Sequence, residues 1–185
     1  MTAAVPATLA APHLPANASA GAMARAAARG QLYLKFTLGS EVFAIDIQRI
    51  REIIEYTVPS AVPMMPESLL GVINVRGSVV PVIDLAKRFG WAATVVGRRT
   101  SIVIVEIARN EQTHVLGLLV DRVNAVGPIP NDAIEPVPAF GASIKTEFIA
   151  GIAKSDERFV IVLSIERTLS IDEIAMVASS ASHQA

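Results

Sequence analysis

The sequence predicts an all-β protein made of two small barrels packed together. Three observations carry that expectation. Apolar residues recur with a period of two, or in short runs of strand length, between clusters of turn residues. The composition is 52% hydrophobic but only 5% aromatic, so a core must be largely aliphatic, chiefly Val and Ile, which favour strands. The pattern also occurs twice. Residues 42–50, VFAIDIQRI, align with 115–123, VLGLLVDRV, at a shift of 73 residues, and Gly71-Val72 with 79–85 align with Gly151-Ile152 and 159–165 at a shift of 80. The Pro-bearing loop at 128–146 absorbs the difference.

The elements follow in order. Residues 1–29 form a low-complexity Ala/Pro tail, expected to be disordered, with room for a helical turn near 22–29. Leu32, Leu34, Phe36 and Leu38 alternate with polar neighbours, so 31–38 reads as a half-buried strand, turning at Gly39-Ser40 into 41–46. A single helical turn fits 47–50, and 51–58 resumes as strand. Pro59, Pro63 and Pro66 mark a loop, with Pro66 at the first position of a short helix ending at Gly71. Strands 71–76 and 78–84 form a hairpin. Pro81 lies in its second arm, which therefore belongs at an edge or a bulge. A helical turn at 86–89 closes at Gly90, and 91–99 is a linker. The second set of strands is 100–108, 113–120, 123–129, 148–154 and 158–165. Five strands per half with tight turns suggest a closed barrel in each, the first over 31–90 and the second over 100–168. Neither is large enough to be comfortably stable alone, so the two should share an apolar interface. Ser170 and Glu173 fit a capping box opening a helix over 171–180, and 181–185 is a tail.

The same composition excludes several functions. The net charge is −1, which argues against electrostatic nucleic-acid binding; the pairs Lys87-Arg88 and Arg98-Arg99 read as a solvated rim. There are no cysteines, hence no disulfide, thiolate metal site or thiol nucleophile. No apolar run reaches the ~18 residues of a membrane span, so direct membrane insertion is not expected. The tail lacks a basic start and carries Pro6, Pro12 and Pro15, unlike a signal peptide. His13, His114 and His183 are scattered, which disfavours a metal site or a triad. No phosphate-binding glycine motif occurs. No cofactor is expected. Asp46, Asp84 and Asp121 stand at the ends of apolar strands. One reading makes them the acid–base set of a small β-barrel hydrolase, but carboxylates bonding backbone at strand ends are the commoner occurrence. Met64-Met65 is expected to plug a core rather than lie exposed.

The stretch 69–90, LLGVINVRGSVVPVIDLAKRFG, is the most informative. Two apolar arms flank Arg76-Gly77-Ser78. Gly77 allows the positive φ of a tight turn, and Arg76 is then a lone charge presented on a rigid, largely buried support. The aligned residue in the second half is Asp156, so the fold does not need arginine there. Such a hairpin suggests binding rather than catalysis. For Ile50 and Glu52 the residues alone favour core packing and a solvated charge.

These residues resemble a known family. GVINVRGSVVPVIDLAKRFG is similar to the signature hairpin of the CheW family, adaptors that couple bacterial chemoreceptors to the histidine kinase CheA. LYLKFTLGSEVFAIDIQRIREII, LGLLVDRVNAV, FIAGIAK and RFVIVLSIERTLS resemble the family in the same order, over about 31–179. Val75 stands where Leu is common, Ala86 where Arg is common, and the tail is extra. The resemblance implies two five-stranded Src-homology-3-like barrels with short helical turns and a C-terminal helix. It implies no catalysis, and a cytoplasmic place at membrane-associated receptor arrays. It further implies that a chemoreceptor's cytoplasmic tip docks between the barrels against Arg76, Ile50 and Glu52, and that the regulatory domain of CheA meets barrel ends at residues that no motif identifies. An equivalent adaptor in a system controlling twitching or surface behaviour fits the same motifs. A piece of a larger kinase or receiver fusion is disfavoured, since the chain begins with Met1 and carries no ATP-site or receiver pattern.

Because 1–29 offers no apolar face to a core, deleting it should change stability by less than about 1 kcal/mol, moving the melting temperature by no more than about 2–4 °C. Differential scanning calorimetry of the full and shortened chains checks this, and a larger fall means the tail is packed.

Overall fold

The computed structural model describes residues 30–109, 111–138, 143–155 and 157–169. The expected tail and the helix over 171–180 lie outside them. The described strands are β1 (Gln31–Leu38), β2 (Glu41–Asp46), β3 (Ile50–Glu55), β4 (Leu69–Val75), β5 (Ser78–Asp84), β6 (Ser101–Arg109), β7 (Gln112–Val120), β8 (Arg122–Ile129), β9 (Ile134–Glu135), β10 (Ile149–Ser155) and β11 (Arg158–Leu163). One-turn helices follow β5 (α1, Leu85–Arg88) and β11 (α2, Ile165–Thr168). The architecture is all-β, two curled sheets packed as Src-homology-3-like barrels. One sheet runs β8-β1-β2-β11-β10-β9 and the other β3-β6-β7-β5-β4.

The barrels do not divide the chain at 91–99, and the expected spans 31–90 and 100–168 are corrected. One barrel is continuous, from β3 to β7. The other joins the N-terminal hairpin β1–β2 to β8–β11. The chain passes between sheets at the 3₁₀ turn Ile47–Arg49 and again at Asp121. Sequence cannot separate the two arrangements, because the first hairpin of each repeat matches its own repeat and the other equally well. The short crossings decide it, turning the chain out of one sheet immediately.

The repeat itself is present in the register. Val160–Val42, Ile161–Phe43 and Val162–Ala44 pair in parallel, as do Val82–Gly117, Ile83–Leu118 and Asp84–Leu119. Val82 and Val162 differ by the 80-residue shift, Ala44 and Gly117 by the 73-residue shift. β-Bulges recur at the same intervals. One falls between Ile50 and Glu52 on β3, and its counterpart skips Asn124 on β8. A second pair falls between Leu69 and Gly71 on β4 and between Ile149 and Gly151 on β10.

The largest apolar cluster lies between the barrels. Leu34, Phe36, Leu38, Phe43 and Ile45 from one sheet meet Val103, Val105, Ile107, Leu116 and Leu118 from the other. The opposite faces hold smaller clusters, around Ala44 and Val162 in one sheet and around Val82 and Ile104 in the other. The period-two alternation thus sorts each strand between a private core and the shared one. The few aromatics are concentrated in the shared cluster. Phe43 stacks on Phe36 and Phe89 at ring distances of 5.8 and 5.5 Å, and Phe89 lies 6.1 Å from Phe148.

Three local expectations change. No helix follows Pro66; a turn at Glu67-Ser68 leads directly into β4. Pro81 is buried in β5, an interior strand, not at an edge or bulge. The parallel ladder to β7 begins only at Val82, whereas Val160 and Ile161 already pair in the other sheet. Pro81 has no N–H to donate, and the ladder starts past it. Met64 plugs nothing: it is fully exposed, at a φ of 60°.

Gly71 has a φ of 143°, and a Cβ there would overlap the carbonyl of Ser60, which bridges to Val72 through bonds of 2.8 and 2.9 Å. Gly151 is similarly crowded by Ile134 and the Glu135 carbonyl. Gly71→Ala should therefore cost about 2–5 kcal/mol, from positive φ and overlap together. Gly77→Ala, with open space around it, should cost only about 1–2 kcal/mol. Urea unfolding midpoints at unchanged slope distinguish them, and equal losses would sink the close-approach argument.

A fragment of residues 30–94 should not fold. It keeps β3, β4 and β5 but lacks β6 and β7, which stand between them, and its β1–β2 hairpin has neither β8 nor β11 to pair with. A cooperative, monomeric unfolding transition from that fragment would overturn the exchanged-hairpin topology.

A candidate partner-binding surface

The β4–β5 hairpin closes in two residues, with Val75 paired to Ser78. Both turn residues have positive φ, 51° at Arg76 and 86° at Gly77, so Arg76 is itself a central residue of a primed turn. The Asn74 side-chain oxygen accepts from the Gly77 N–H at 2.9 Å and fixes the loop. The arms are buried toward their base, while Asn74 and Val79 near the tip are exposed.

Arg76 is not isolated. Its Nε lies 3.2 Å from Glu52 Oε1, and its Nε and Nη2 both donate to Glu52 Oε2 at 3.3 Å. Glu52 is on β3, so the fold joins two sequence candidates across 24 residues. The Arg76 side chain is 82% exposed and that of Glu52 only 21%. The carboxylate therefore rests on the barrel and orients a guanidinium that stands in solvent. A pair this exposed contributes about 0–1 kcal/mol to stability. Its effect is orientation of the cation. Ile50 opens β3 and packs against the shared core while remaining part-exposed beside the bulge. The structure thus brings Arg76 and Glu52 into contact and sets Ile50 on the same strand, two residues away.

Beyond Glu52 the strand borders a cleft of about 600 Å³. Ile53, Ile54 and Glu55 line one side, and Val123, Asn124 and Val126 of β8 the other. β3 and β8 are the outer strands of their sheets and are related by the repeat, so the cleft lies between the two barrels. Arg98, Arg99 and Arg122 border it as well. Arg98 and Arg99 are exposed, as expected of a solvated rim, and nothing local in the sequence singles out Arg122. The 73-residue register, which sets position 123 opposite Ile50, was the signal available. Arg88, by contrast, departs from the rim expectation: it donates to the Thr168 carbonyl at 2.8 Å and lies 4.9 Å over the Phe148 ring.

The strand-end aspartates serve the backbone, each at a different place. Asp84 is buried and caps α1 through the Ala86 N–H at 3.0 Å, and it also holds Thr94 through its N–H and hydroxyl, both at 2.9 Å. Asp46 accepts from the Gln48 N–H at 2.9 Å and from the Gln31 amide. Asp121 accepts from the Gly39 N–H at 2.7 Å. They do not converge into a cluster, and among the described residues no group of three or more His, Asp or Glu side chains gathers into a metal-binding set. Burial raises the Tyr33 phenol above its ordinary pKa, and the Asp46 charge adds to the effect. No helix among the described residues is long and apolar enough to cross a membrane.

Known proteins share the sequence and fold of this chain over most of its length. The model of the CheW-like domain family matches residues 32–173. The chemotaxis protein CheW of Klebsiella aerogenes is 34% identical over 148 residues, covering 80% of this chain and 87% of that one. CheW of Helicobacter pylori is 34% identical over 140 residues, covering 76% and 82%. The crystal structure of the scaffolding protein TtCheW from Thermoanaerobacter tengcongensis superimposes with a TM-score of 0.69 at 35% identity, over 78% of this chain and 90% of that one. With a family model spanning both exchanged barrels and relatives alike over most of their length, the chain belongs to the CheW family.

Proposed function

We propose that this protein is a non-enzymatic scaffold that couples chemoreceptors to the histidine kinase CheA in a bacterial chemosensory array. The observation that carries the reading is the Arg76–Glu52 pair: a carboxylate seated on one strand aims an exposed guanidinium from the tip of a separate, rigid hairpin. The arrangement offers a fixed charge and a part-exposed apolar neighbour, Ile50, to a protein partner. It supplies no nucleophile and no acid–base pair. The partner at this surface is the cytoplasmic tip of a receptor, and the regulatory domain of CheA binds elsewhere. The protein then works on the cytoplasmic side, at membrane-associated receptor arrays, without entering the membrane.

Arg76→Glu should uncouple receptor binding and leave the fold intact. Glutamates already occupy positive φ in two other hairpin turns, at Glu111 and Glu157, so the backbone tolerates the change. The new carboxylate faces Glu52 and whatever acidic group the receptor presents. Loss of one partner from an interfacial charge pair costs about 2–5 kcal/mol, roughly thirty- to several-thousand-fold in affinity. Co-sedimentation with receptor-bearing membranes and with CheA, alongside circular dichroism, tests this. Unchanged receptor binding would reduce Arg76 to a solvated turn residue, and an equal fall in CheA binding would refute separate surfaces.

A further inference from the structure

The cleft between β3 and β8 carries a charge pattern that the Arg76–Glu52 pair does not explain. Three arginines border it, Arg98 and Arg99 from the linker before β6 and Arg122 from the first position of β8. All three are exposed. Among the described residues no salt bridge engages them; Arg122 makes only a 3.4 Å bond from its Nε to the Thr37 hydroxyl. Glu55 is the one acidic residue in the lining. The net charge of the whole chain is −1, so this concentration of cations is local. The floor between them is apolar, from Ile53, Val123 and Val126. Partly exposed aliphatic surface ringed by unpaired guanidinium groups is complementary to one kind of partner, a segment with an apolar stripe flanked by carboxylates. Guanidinium is suited to that role because its fork matches a carboxylate with two parallel bonds.

We propose that the receptor segment seated along β3 is acidic, and that its carboxylates pair with Arg98, Arg99 and Arg122 while its apolar residues cover Ile53, Val123 and Val126. The proposal rests on the receptor-binding reading of the hairpin. Edge strand β3 links the two surfaces: Glu52, opposite Ile104, faces the hairpin, and Ile53, opposite Val103, faces the cleft from the other side of the strand. Arg76 fixes one end of the partner and the arginine rim reads its flank. The rim arginines act chiefly by drawing the partner in at low salt, as exposed charges around an interface do.

The test uses the full chain and a purified cytoplasmic fragment of a chemoreceptor from the same cell. Affinity is measured at about 0.05 M and about 0.5 M salt, where screening is weak and then nearly complete. The variants are R98Q/R99Q/R122Q and R76E, each checked by circular dichroism, together with a receptor fragment whose tip carboxylates are changed to amides. The triple variant should bind about ten- to a hundredfold more weakly at low salt, approach wild type at high salt, and bind CheA as before. The amide receptor should bind wild type weakly and gain nothing further from the triple change. If the triple variant binds like wild type while R76E does not, the acidic-segment proposal falls and the receptor reading stands. If the triple variant is equally weak at both salts, charge pairing is refuted. If wild type does not bind the receptor fragment, or if R76E also leaves binding unchanged, the receptor reading falls and the proposal with it.

Discussion

Two three-residue parallel ladders, β2 against β11 and β5 against β7, hold the strands that form the centre of each sheet. Each ladder joins residues far apart in the chain, Val42 to Val160 and Val82 to Gly117. Parallel pairing needs a long connection: between β2 and β11 it contains the whole of the other barrel, and between β5 and β7 it contains α1, the linker and β6 of the same sheet. The ladder between β2 and β11 forms only when the N-terminal hairpin lies against the C-terminal strands. That contact places Phe36, Phe43 and Ile45 opposite Val103, Val105 and Leu116 in the shared core. Neither barrel is then a separable unit. Each presents one apolar face that only the other can cover.

The rigidity of the candidate surface follows from this. β3 runs beside β6 with its bulge at position 51, and the bulge turns Glu52 toward the hairpin. The hairpin is held along its length by the β4–β5 pairing, at its base by the Asp84 cap and the Ser60 bridge, and at its tip by Asn74. Arg76 is exposed, yet its backbone has little freedom. An arginine loses considerable side-chain entropy when a partner immobilises it. The Glu52 contact removes part of that freedom in advance. This gives a weak surface ion pair a function that its small contribution to stability does not measure.

The three buried or half-buried aspartates show how polar groups are used elsewhere in so apolar a molecule. Asp84, Asp46 and Asp121 each sit where the chain leaves a strand and must redirect its N–H groups. A carboxylate accepts several such bonds at once, and a buried N–H left unmet is costly. Asp84 also ties Thr94 of the linker to the end of β5, so the segment that leads to Arg98 and Arg99 is anchored at its start.

The sequence by itself determined every described strand except the two-residue β9, the duplication and its two shifts of 73 and 80 residues, the need for a shared core, and the hairpin that presents Arg76. These are properties of local pattern: side-chain period, turn residues and apolar content act over a few positions and are written in them. The tertiary structure decided which hairpin enters which barrel, that β5 with its Pro81 is an interior strand, that Met64 lies outside the core, and that Glu52 meets Arg76. It also decided that Arg98, Arg99 and Arg122 share one cleft. Each of these depends on contacts between residues distant in the chain. A duplicated sequence is ambiguous on that point, because both pairings bury the same side chains against equivalent strands. The short crossings at Ile47–Arg49 and Asp121 resolve it, since the reach of so few residues leaves the chain no way back into the sheet it has left.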